Sequence, residues 1–320
     1  MSDMKKTFLL AIVGSTASGK SRMAVKLAQK LNGEIISCDS MQIYKRMNVG
    51  TAKPTMEEME GIPHHLIDFA EPDVSFSSAD YVAAAKRAIE EVSSRGKLPI
   101  LCGGTGLYLE RLLYGGGDAE EAEPCDEIRR KWQAYCEENG NHALHERLRE
   151  VDAESADAIH ENNVHRVIRA LEIFETTGVP KSEWDKRSKE KASDYEFCVV
   201  GLRYGSRELL YDRINRRVDA MMESGLLEET KSLMEEGVFA RNSTAAQAIG
   251  YKELLAHLDG EESLLDAVER LKTATRRYAK RQITWFSAKP YVQWVDADDN
   301  GCMRGEEDIL SDILAHLEKH

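Results

Sequence analysis

An eight-residue segment near the start of the chain has the spacing of a phosphate-binding loop. Residues 14–21 (GSTASGKS) match the pattern GxxxxGK[S/T] in full. In such a loop, successive backbone N–H groups point at phosphate oxygens, the lysine adds a positive charge, and the final hydroxyl can ligate Mg²⁺. The sequence therefore predicts a phosphate site, without naming the molecule that carries the phosphate. Its residues are Gly14, Ser15, Thr16, Ala17, Ser18, Gly19, Lys20 and Ser21, with Ser21 as the predicted metal ligand.

Two further polar residues follow apolar segments that we predict to be strands. Asp39 comes directly after residues 34–38, and in open α/β sheets ligands bind at the carboxyl edge of the strands. A carboxylate there could act as a general base, act as an outer ligand to magnesium, or cap the following turn, and position alone leaves all three open. The segment 98–102 is followed by two glycines and Thr105, so it lacks the magnesium-binding aspartate of many ATPases. The Thr105 hydroxyl could instead face a substrate.

Three arginines lie in segments with helical periodicity. Arg166 and Arg169 belong to residues 163–177, and Arg217 belongs to residues 212–218. Guanidinium groups bind phosphate through two hydrogen bonds and stabilise a departing anion. Most helical arginines, however, lie on a solvated face, and the sequence alone leaves this alternative open.

Positive charge is concentrated in one segment of an acidic chain. The formal net charge is −13, so contact with nucleic acid requires a local excess of positive charge. Residues 271–295 contain no Asp or Glu, and Arg277 and Arg281 share a helix face at the i, i+4 spacing. This pattern favours an RNA-backbone surface over an ordinary solvated helix. The basic residues are Lys272, Arg276, Arg277, Lys280, Arg281 and Lys289.

The elements around these residues indicate a doubly wound α/β domain. Continuous apolar runs are typical of strands covered on both faces, and the predicted order is strand, phosphate loop, helix, strand. The predicted strands are 7–13, 34–38, 98–102, 197–202 and 292–295. The predicted helices are 22–31, 76–94, 163–177, two segments within 207–236 that break near Gly225, 264–286, and a tail helix around 309–317.

A helical insertion separates the two parts of this domain. Residues 127–177 show only helical periods, residues 182–195 are predicted to be loop or irregular helix, and the strand 197–202 returns to the sheet. Three consecutive glycines at 115–117 are typical of a hinge. We therefore predict a phosphate-loop core of residues 1–116 and 196–320 with an all-helical insertion of residues 117–195.

Several classes of protein are excluded by composition. The six cysteines have no CxxC spacing, so neither a zinc site nor a disulfide framework is indicated. The apolar run 8–13 is too short to cross a membrane, and no signal-peptide cleavage site follows it. We therefore expect a cytoplasmic protein without membrane contact. We also expect a monomer, because no apolar helix stripe is left that would need a partner.

The motifs together resemble one family, the bacterial tRNA dimethylallyltransferases, and they span almost the whole chain in order. Two positions depart from the family pattern: Ser15 stands where proline is common, and His165 where arginine or glutamine is common. The matching segments are 14–21, ISCDSMQIY (36–44), GTAKP (50–54), HHLID (64–68), GGTGLY (103–108), RVIRALE (166–172), DRINRRV (212–218), QAIGYKE (247–253) and RYAKRQITWF (277–286).

The resemblance implies transfer of a dimethylallyl group from dimethylallyl diphosphate to N6 of adenosine 37 in tRNAs that read codons beginning with U, with Mg²⁺ as cofactor. It implies that the phosphate loop holds the isoprenoid diphosphate, that Asp39 is the general base, that Thr105 lines the reaction channel, and that Arg169 and Arg217 contact the diphosphate. The residues it assigns to binding the tRNA anticodon stem-loop are Asp39, Ser40, Met41, Gln42, His165, Arg166, Arg169, Arg277 and Arg281.

Two other functions share part of this pattern. A small-molecule kinase also combines a phosphate loop with a helical lid, but it would consume ATP and give a phosphorylated product. A nucleotide-dependent RNA-binding switch would bind RNA without altering it. Only the transferase would form isopentenyladenosine, so the product separates the three.

Overall fold

The computed structural model describes residues 6–115, 125–190 and 192–319. Within them the chain divides into two compact units, one formed by Met1–Leu109 and Tyr195–His320 and the other by Glu110–Asp194. Most of the predicted glycine hinge and of the acidic segment after it, from Gly116 to Pro124, lies outside the described residues.

A six-stranded parallel sheet forms the centre of the first unit, as the sequence predicts. The strand order is β3-β2-β4-β1-β5-β6, and all neighbouring strands are parallel. The central strand β1 is almost entirely buried because parallel sheets are covered on both faces. The strands are β1 (Phe8–Gly14), β2 (Gly33–Ser37), β3 (His64–His65), β4 (Leu98–Gly103), β5 (Glu196–Arg203) and β6 (Val292–Asp296), and a separate two-stranded ladder pairs β7 (Asp298–Asp299) with β8 (Cys302–Met303).

The seven helices predicted from the sequence are present, with boundaries within a few residues of the predicted ones. The break near Gly225 is confirmed, and that glycine has a φ of 93° at the start of the second of the two helices. The helices are α1 (Lys20–Leu31), α2 (Met56–Met59), α3 (Ser78–Ser94), α4 (Gly106–Tyr114), α5 (Asp126–Val151), α6 (Ala153–Ala158), α7 (Val164–Thr177), α8 (Lys181–Glu190), α9 (Arg207–Glu223), α10 (Leu226–Glu235), α11 (Val238–Arg241), α12 (Ser243–Ala246), α13 (Tyr251–Leu258), α14 (Leu264–Ser287) and α15 (Glu306–Leu317).

Helices cover both faces of the sheet. On one face, Leu27 of α1 and Ile313 of α15 pack in the same buried cluster as Leu10 and Ile12 of β1. Helix α3 contacts β2 and β4, and helix α14 contacts β1. The doubly wound architecture is therefore confirmed, and it places α1 and the phosphate loop beside the carboxyl end of the central strand.

The second unit contains only helices among its described residues. Its core joins α5 to α7 through Leu144, Leu148, Val167 and Leu171, which are at most 2% exposed. The prediction of a loop or irregular helix over residues 182–195 was wrong for residues 182–190, which belong to helix α8, and is confirmed for residues 192–195, which form neither helix nor strand. The charged residues of α8 are not a disordering run, since they pair across helical turns, as in the contact of Lys181 with Asp185 at 2.5 Å.

No helix in the described parts of the chain is long and apolar enough to cross a membrane.

A buried carboxylate near the start of β2 makes the free energy of unfolding depend on pH. Glu34 on β2 is only 4% exposed, and it pairs with Arg95 at 2.6 Å, His65 at 2.7 Å and Lys97 at 2.9 Å. Burial alone would raise its pKa, but the hydrogen bonds from these three groups lower the pKa from 4.5 to about 2. The folded protein is therefore stabilised by the ionised form, and this contribution is lost as pH falls through that interval.

We predict that Glu34→Gln lowers the free energy of unfolding by about 2 kcal/mol at pH 7. The difference from wild type should shrink as pH falls from 4.5 towards 2, because the wild-type carboxyl is then protonated as well. Urea unfolding across that range measures this, with exposed Glu90→Gln as the control. If the difference in free energy of unfolding between Glu34→Gln and wild type does not change with pH, the charge of Glu34 does not stabilise the fold.

Candidate functional site

The phosphate loop has the backbone conformation that its glycines predict. Gly14 and Gly19 have φ values of 148° and 91°, and Ala17 has a φ of 61°. A Cβ on Gly14 would lie 2.7 Å from the Leu202 carbonyl oxygen, so only glycine fits there. Helix α1 begins at Lys20, within the loop, with no side-chain cap, which leaves its first N–H groups free to bind an anion.

The ammonium group of Lys20 folds back over the loop. Its Nζ donates a hydrogen bond to the Ser15 carbonyl oxygen at 3.1 Å. Burial lowers the pKa of Lys20, and Arg217 lowers it further, whereas Asp39 acts in the opposite direction. Lys20 is therefore a desolvated cation with a second cation and a carboxylate close by.

Asp39 caps its own turn, one of the three roles that its position left open. Its Oδ1 accepts hydrogen bonds from the backbone N–H groups of Met41 at 2.8 Å and Gln42 at 3.2 Å, so the interpretation as a turn cap is confirmed. No hydrogen bond engages Oδ2 among the residues that the structure describes. The second carboxylate oxygen is thus left over for chemistry.

The ends of β2 and β4 approach so closely that the site has no room for a side chain at Gly103. A Cβ on Gly103 would lie 2.0 Å from the Cys38 carbonyl oxygen. The Thr105 N–H donates to that same carbonyl at 3.1 Å, and the Ser40 N–H donates to Thr105 Oγ1 at 3.1 Å. These contacts hold Thr105 beside the turn that carries Asp39.

Arg217 reaches the same edge of the sheet from helix α9. Burial lowers its pKa, and the nearby Asp39 and Glu58 oppose that change. Its Nη2 donates to the Ala52 carbonyl oxygen at 3.5 Å. The structure therefore brings together Lys20, Asp39 and Arg217, three residues that the sequence singled out from separate segments.

Two residues at this site were missed by sequence reasoning. Gln282 on α14 accepts a hydrogen bond from the Thr16 N–H at 2.7 Å and donates one to the Gly104 carbonyl oxygen at 3.0 Å. Arg213 on α9 donates to the Ala17 carbonyl oxygen at 2.9 Å. Thr16 and Gln282 lie 266 positions apart, and no local pattern marks either contact.

A carboxylate outside the site fixes the loop of residues 48–54. Glu229 on α10 accepts hydrogen bonds from the N–H groups of Asn48, Val49 and Gly50 at 2.9 to 3.0 Å. Ala52 of that loop provides the carbonyl that Arg217 contacts, and Gln42 also donates to it at 3.2 Å. The predicted RNA contact Gln42 therefore has its side-chain amide engaged within the protein.

Helix α14 presents cations on its solvent side. Arg277, Lys280 and Arg281 are exposed, and none of them has an ion-pair partner in the described part of the chain. The other predicted cations are used internally: Lys272 pairs with Asp219 at 2.8 Å, and Arg276 donates to Asn215 at 2.6 Å. The basic surface is thus narrower than the composition of the segment indicates.

The predicted residues of the insertion lie on α7, within the second unit. His165 and Arg166 are exposed at the start of that helix. Arg169 is partly buried and pairs with the fully buried Glu172 at 2.6 Å. The N–H of Cys125 and the guanidinium of Arg129 also bind Glu172, at 2.7 and 2.9 Å. Glu172 therefore fixes the direction of Arg169.

The donor groups at the loop fit a magnesium ion that is bound mainly through a substrate. Ser21 supplies one exposed hydroxyl, and the described residues contain no cluster of three His, Cys, Asp or Glu side chains that could hold a metal. Magnesium usually retains water and binds substrate phosphates rather than a complete protein cage. One hydroxyl beside a phosphate loop meets that requirement.

Comparisons with known proteins converge on one family. The family model described as "IPP transferase" matches residues 42–289. The chain is 49% identical to the tRNA dimethylallyltransferase of Caldanaerobacter subterraneus subsp. tengcongensis over 97% of each chain, and 52% identical to that of Bacillus licheniformis over 90% of each.

Solved structures give the same result. A tRNA isopentenylpyrophosphate transferase from Staphylococcus epidermidis matches with a TM-score of 0.71 at 42% identity, over 98% of this chain and 99% of that one. A eukaryotic dimethylallyltransferase, described as acting on tRNA, matches with a TM-score of 0.78 at 34% identity, over 92% of this chain and 74% of that one.

Proposed function

Since this chain belongs to the IPP transferase family, we propose that it transfers a dimethylallyl group from dimethylallyl diphosphate to N6 of adenosine 37 in tRNAs that read codons beginning with U. The products are N6-isopentenyladenosine and diphosphate. The chain is an enzyme, a prenyltransferase that modifies tRNA.

The observation that carries this proposal is the charge at the carboxyl edge of the sheet. Burial lowers the pKa of both Lys20 and Arg217, and Asp39 lies close to both. Arg213 and Glu58 also act on Arg217, so three cations face two carboxylates, and this excess of positive charge is costly where water is partly excluded. A bound diphosphate would neutralise that excess, and its release as a leaving group is the step that such cations favour.

Asp39 is placed to assist the attacking amine. The exocyclic amine of adenine is a weak nucleophile because its lone pair is delocalised into the ring, so removal of its proton as the C–N bond forms accelerates the reaction. Oδ1 of Asp39 stabilises its own turn, and Oδ2 takes the proton. Thr105, held beside that turn through Ser40, lines the same space.

The phosphate loop, residues 14–21, binds the diphosphate with its N–H groups, while Lys20 and Arg217 supply charge. Magnesium, when bound at Ser21 and the diphosphate, would neutralise further negative charge on the leaving group. Arg169 is assigned to the diphosphate through the family resemblance, and its contact with Glu172 supports a fixed orientation of the guanidinium.

We assign RNA binding to one surface on each unit. The surface on the first unit consists of the segment from Asp39 to Gln42 and the exposed Arg277 and Arg281 of α14. The surface on the helical insertion consists of His165, Arg166 and Arg169. We assign residues 117–195 as the tRNA-binding insertion, which clamps the anticodon stem-loop while the target base leaves its stack. The enzyme is proposed to act as a cytoplasmic monomer.

Product analysis tests the function directly. Incubation of the enzyme with unmodified tRNA, dimethylallyl diphosphate and Mg²⁺, followed by mass analysis of the nucleosides, should give isopentenyladenosine. A phosphorylated product formed from ATP would support the kinase alternative, and RNA binding with unchanged nucleosides would support a binding switch.

We predict that Asp39→Asn lowers the single-turnover rate by about 10² to 10⁴-fold, the usual contribution of a general base. The amide oxygen of Asn can still accept from Met41 and Gln42, so the turn and the tRNA affinity should be retained. Asp39→Ala removes both roles and serves as the comparison. A rate near that of wild type in Asp39→Asn would show that the carboxylate is only a turn cap.

We predict that Arg277→Ala combined with Arg281→Ala weakens tRNA binding and reduces the slope of log affinity against log salt by about one unit for each lost phosphate contact. Affinity for dimethylallyl diphosphate should hardly change. Lys30→Ala combined with Lys231→Ala, which removes exposed lysines from α1 and α10, is the matched control. An unchanged slope would place the RNA on another surface.

A further inference from the structure

One backbone donor of the phosphate loop is already occupied by a side chain from the far end of the sequence. The Thr16 N–H donates to Gln282 Oε1 at 2.7 Å, a short hydrogen bond. In a loop of this type, each free N–H is a contact for a phosphate oxygen. At Thr16 that contact is made by Gln282 itself, so its amide oxygen lies where a phosphate oxygen would otherwise bind.

The lysine of the loop marks the space in which phosphates would lie. In phosphate loops the backbone N–H groups and the lysine contact the same phosphate chain. Lys20 Nζ lies 3.1 Å from the Ser15 carbonyl oxygen, which is in the first half of the loop. Phosphates bound to Lys20 and to the start of α1 would therefore meet Gln282 on the Thr16 side of the loop.

Gln282 is held firmly in this position. It is 5% exposed, and its Nε2 donates to the Gly104 carbonyl oxygen at 3.0 Å. Tyr278, one turn earlier on α14, lies beside Gln282. A Cβ on Gly104 would lie 2.0 Å from Nε2, so the strand end is shaped around this side chain. The amide cannot move aside without breaking hydrogen bonds on both of its ends.

The other end of the loop remains open. The N–H groups of Lys20 and Ser21 belong to the first turn of α1, where a helix has no internal partner for them. The loop therefore offers free backbone donors at the start of α1 and an occupied donor at Thr16. This arrangement suits a short phosphate chain.

We propose that Gln282 is a specificity-determining residue that limits the phosphate loop to a diphosphate and excludes the third phosphate of nucleoside triphosphates. This inference rests on the proposed function, in which the loop binds the diphosphate of the prenyl donor. It explains how a loop with the spacing found in ATPases can select a prenyl diphosphate in a cell rich in ATP.

Inorganic pyrophosphate and inorganic tripolyphosphate, each with Mg²⁺, test this by titration calorimetry on the full chain. We compare the ratio of the two affinities within each variant, because a general change in the charge of the site affects both anions. Wild type should bind pyrophosphate at least as well as tripolyphosphate. Gln282→Ala should raise the relative affinity for tripolyphosphate by about ten-fold or more, because a freed N–H and the vacated space can take the third phosphate.

Gln282→Asn, which withdraws the amide by one methylene group, should change the ratio in the same direction and provides a second variant if the alanine protein fails to fold. Gln133→Ala, on the exposed surface of α5, is the matched control and should leave the ratio unchanged. Thermal unfolding checks that each variant is folded.

The outcomes separate this inference from the function on which it rests. If wild type binds pyrophosphate and Lys20→Ala abolishes that binding, but neither Gln282 variant gains affinity for tripolyphosphate, the specificity role is wrong and the diphosphate site stands. If wild type does not bind pyrophosphate, or binds it equally well without Lys20, both proposals are wrong. A gain confined to the Gln282 variants supports the proposal.

Discussion

Two half-buried cations close to the Asp39 carboxylate determine how this site works. Lys20 belongs to the phosphate loop, Arg217 comes from a helix almost two hundred residues later, and burial lowers the pKa of both. Asp39 offsets part of their charge, but one of its oxygens is already used to hold its own turn. The fold therefore maintains a region of positive potential that a multiply charged anion would complete. A diphosphate leaving group has the charge that this region lacks.

The short distance between the ends of β2 and β4 limits which side chains can lie beside the phosphate loop. Gly103 lies so close to Cys38 that no side chain fits, and this excludes a metal-binding carboxylate at the end of β4. Helix α14 packs against the loop. Its Gln282 accepts a hydrogen bond from Thr16, and its Arg277 and Arg281 are exposed to solvent. A single helix thus connects a surface suited to RNA phosphates with the loop that we assign to the donor.

Local patterns predicted much of this arrangement. Glycine spacing identified the phosphate loop, uninterrupted apolar runs identified the parallel strands, and the rule that ligands bind at the carboxyl edge selected Asp39. Gln282 and Arg213 could not be found in that way, because their partners are backbone atoms that only the tertiary fold brings near. The strand β3 was also missed, since two residues carry no periodicity.

Charge in the sequence was a weaker guide than apolar pattern. The sequence shows an excess of basic residues in α14. Two of them, however, bind within the protein: Lys272 pairs with Asp219, and Arg276 donates to Asn215. The sequence alone does not reveal these partners. The charged segment from residue 182 was predicted to be loop or irregular helix, whereas pairs such as Lys181 with Asp185 stabilise a helix that extends to Glu190. Whether a charged side chain faces solvent or a partner is decided by packing between distant segments.

The central claim is that the phosphate loop holds the prenyl diphosphate, and donor binding without tRNA tests it most directly. Calorimetric titration of dimethylallyl diphosphate with Mg²⁺ should show affinity reduced by about ten-fold or more in Lys20→Ala, because a charge-assisted contact is lost. Lys30→Ala, ten residues further along α1 and exposed, should bind as wild type does. Equal affinities in wild type, Lys20→Ala and Lys30→Ala would place the diphosphate elsewhere and contradict the account.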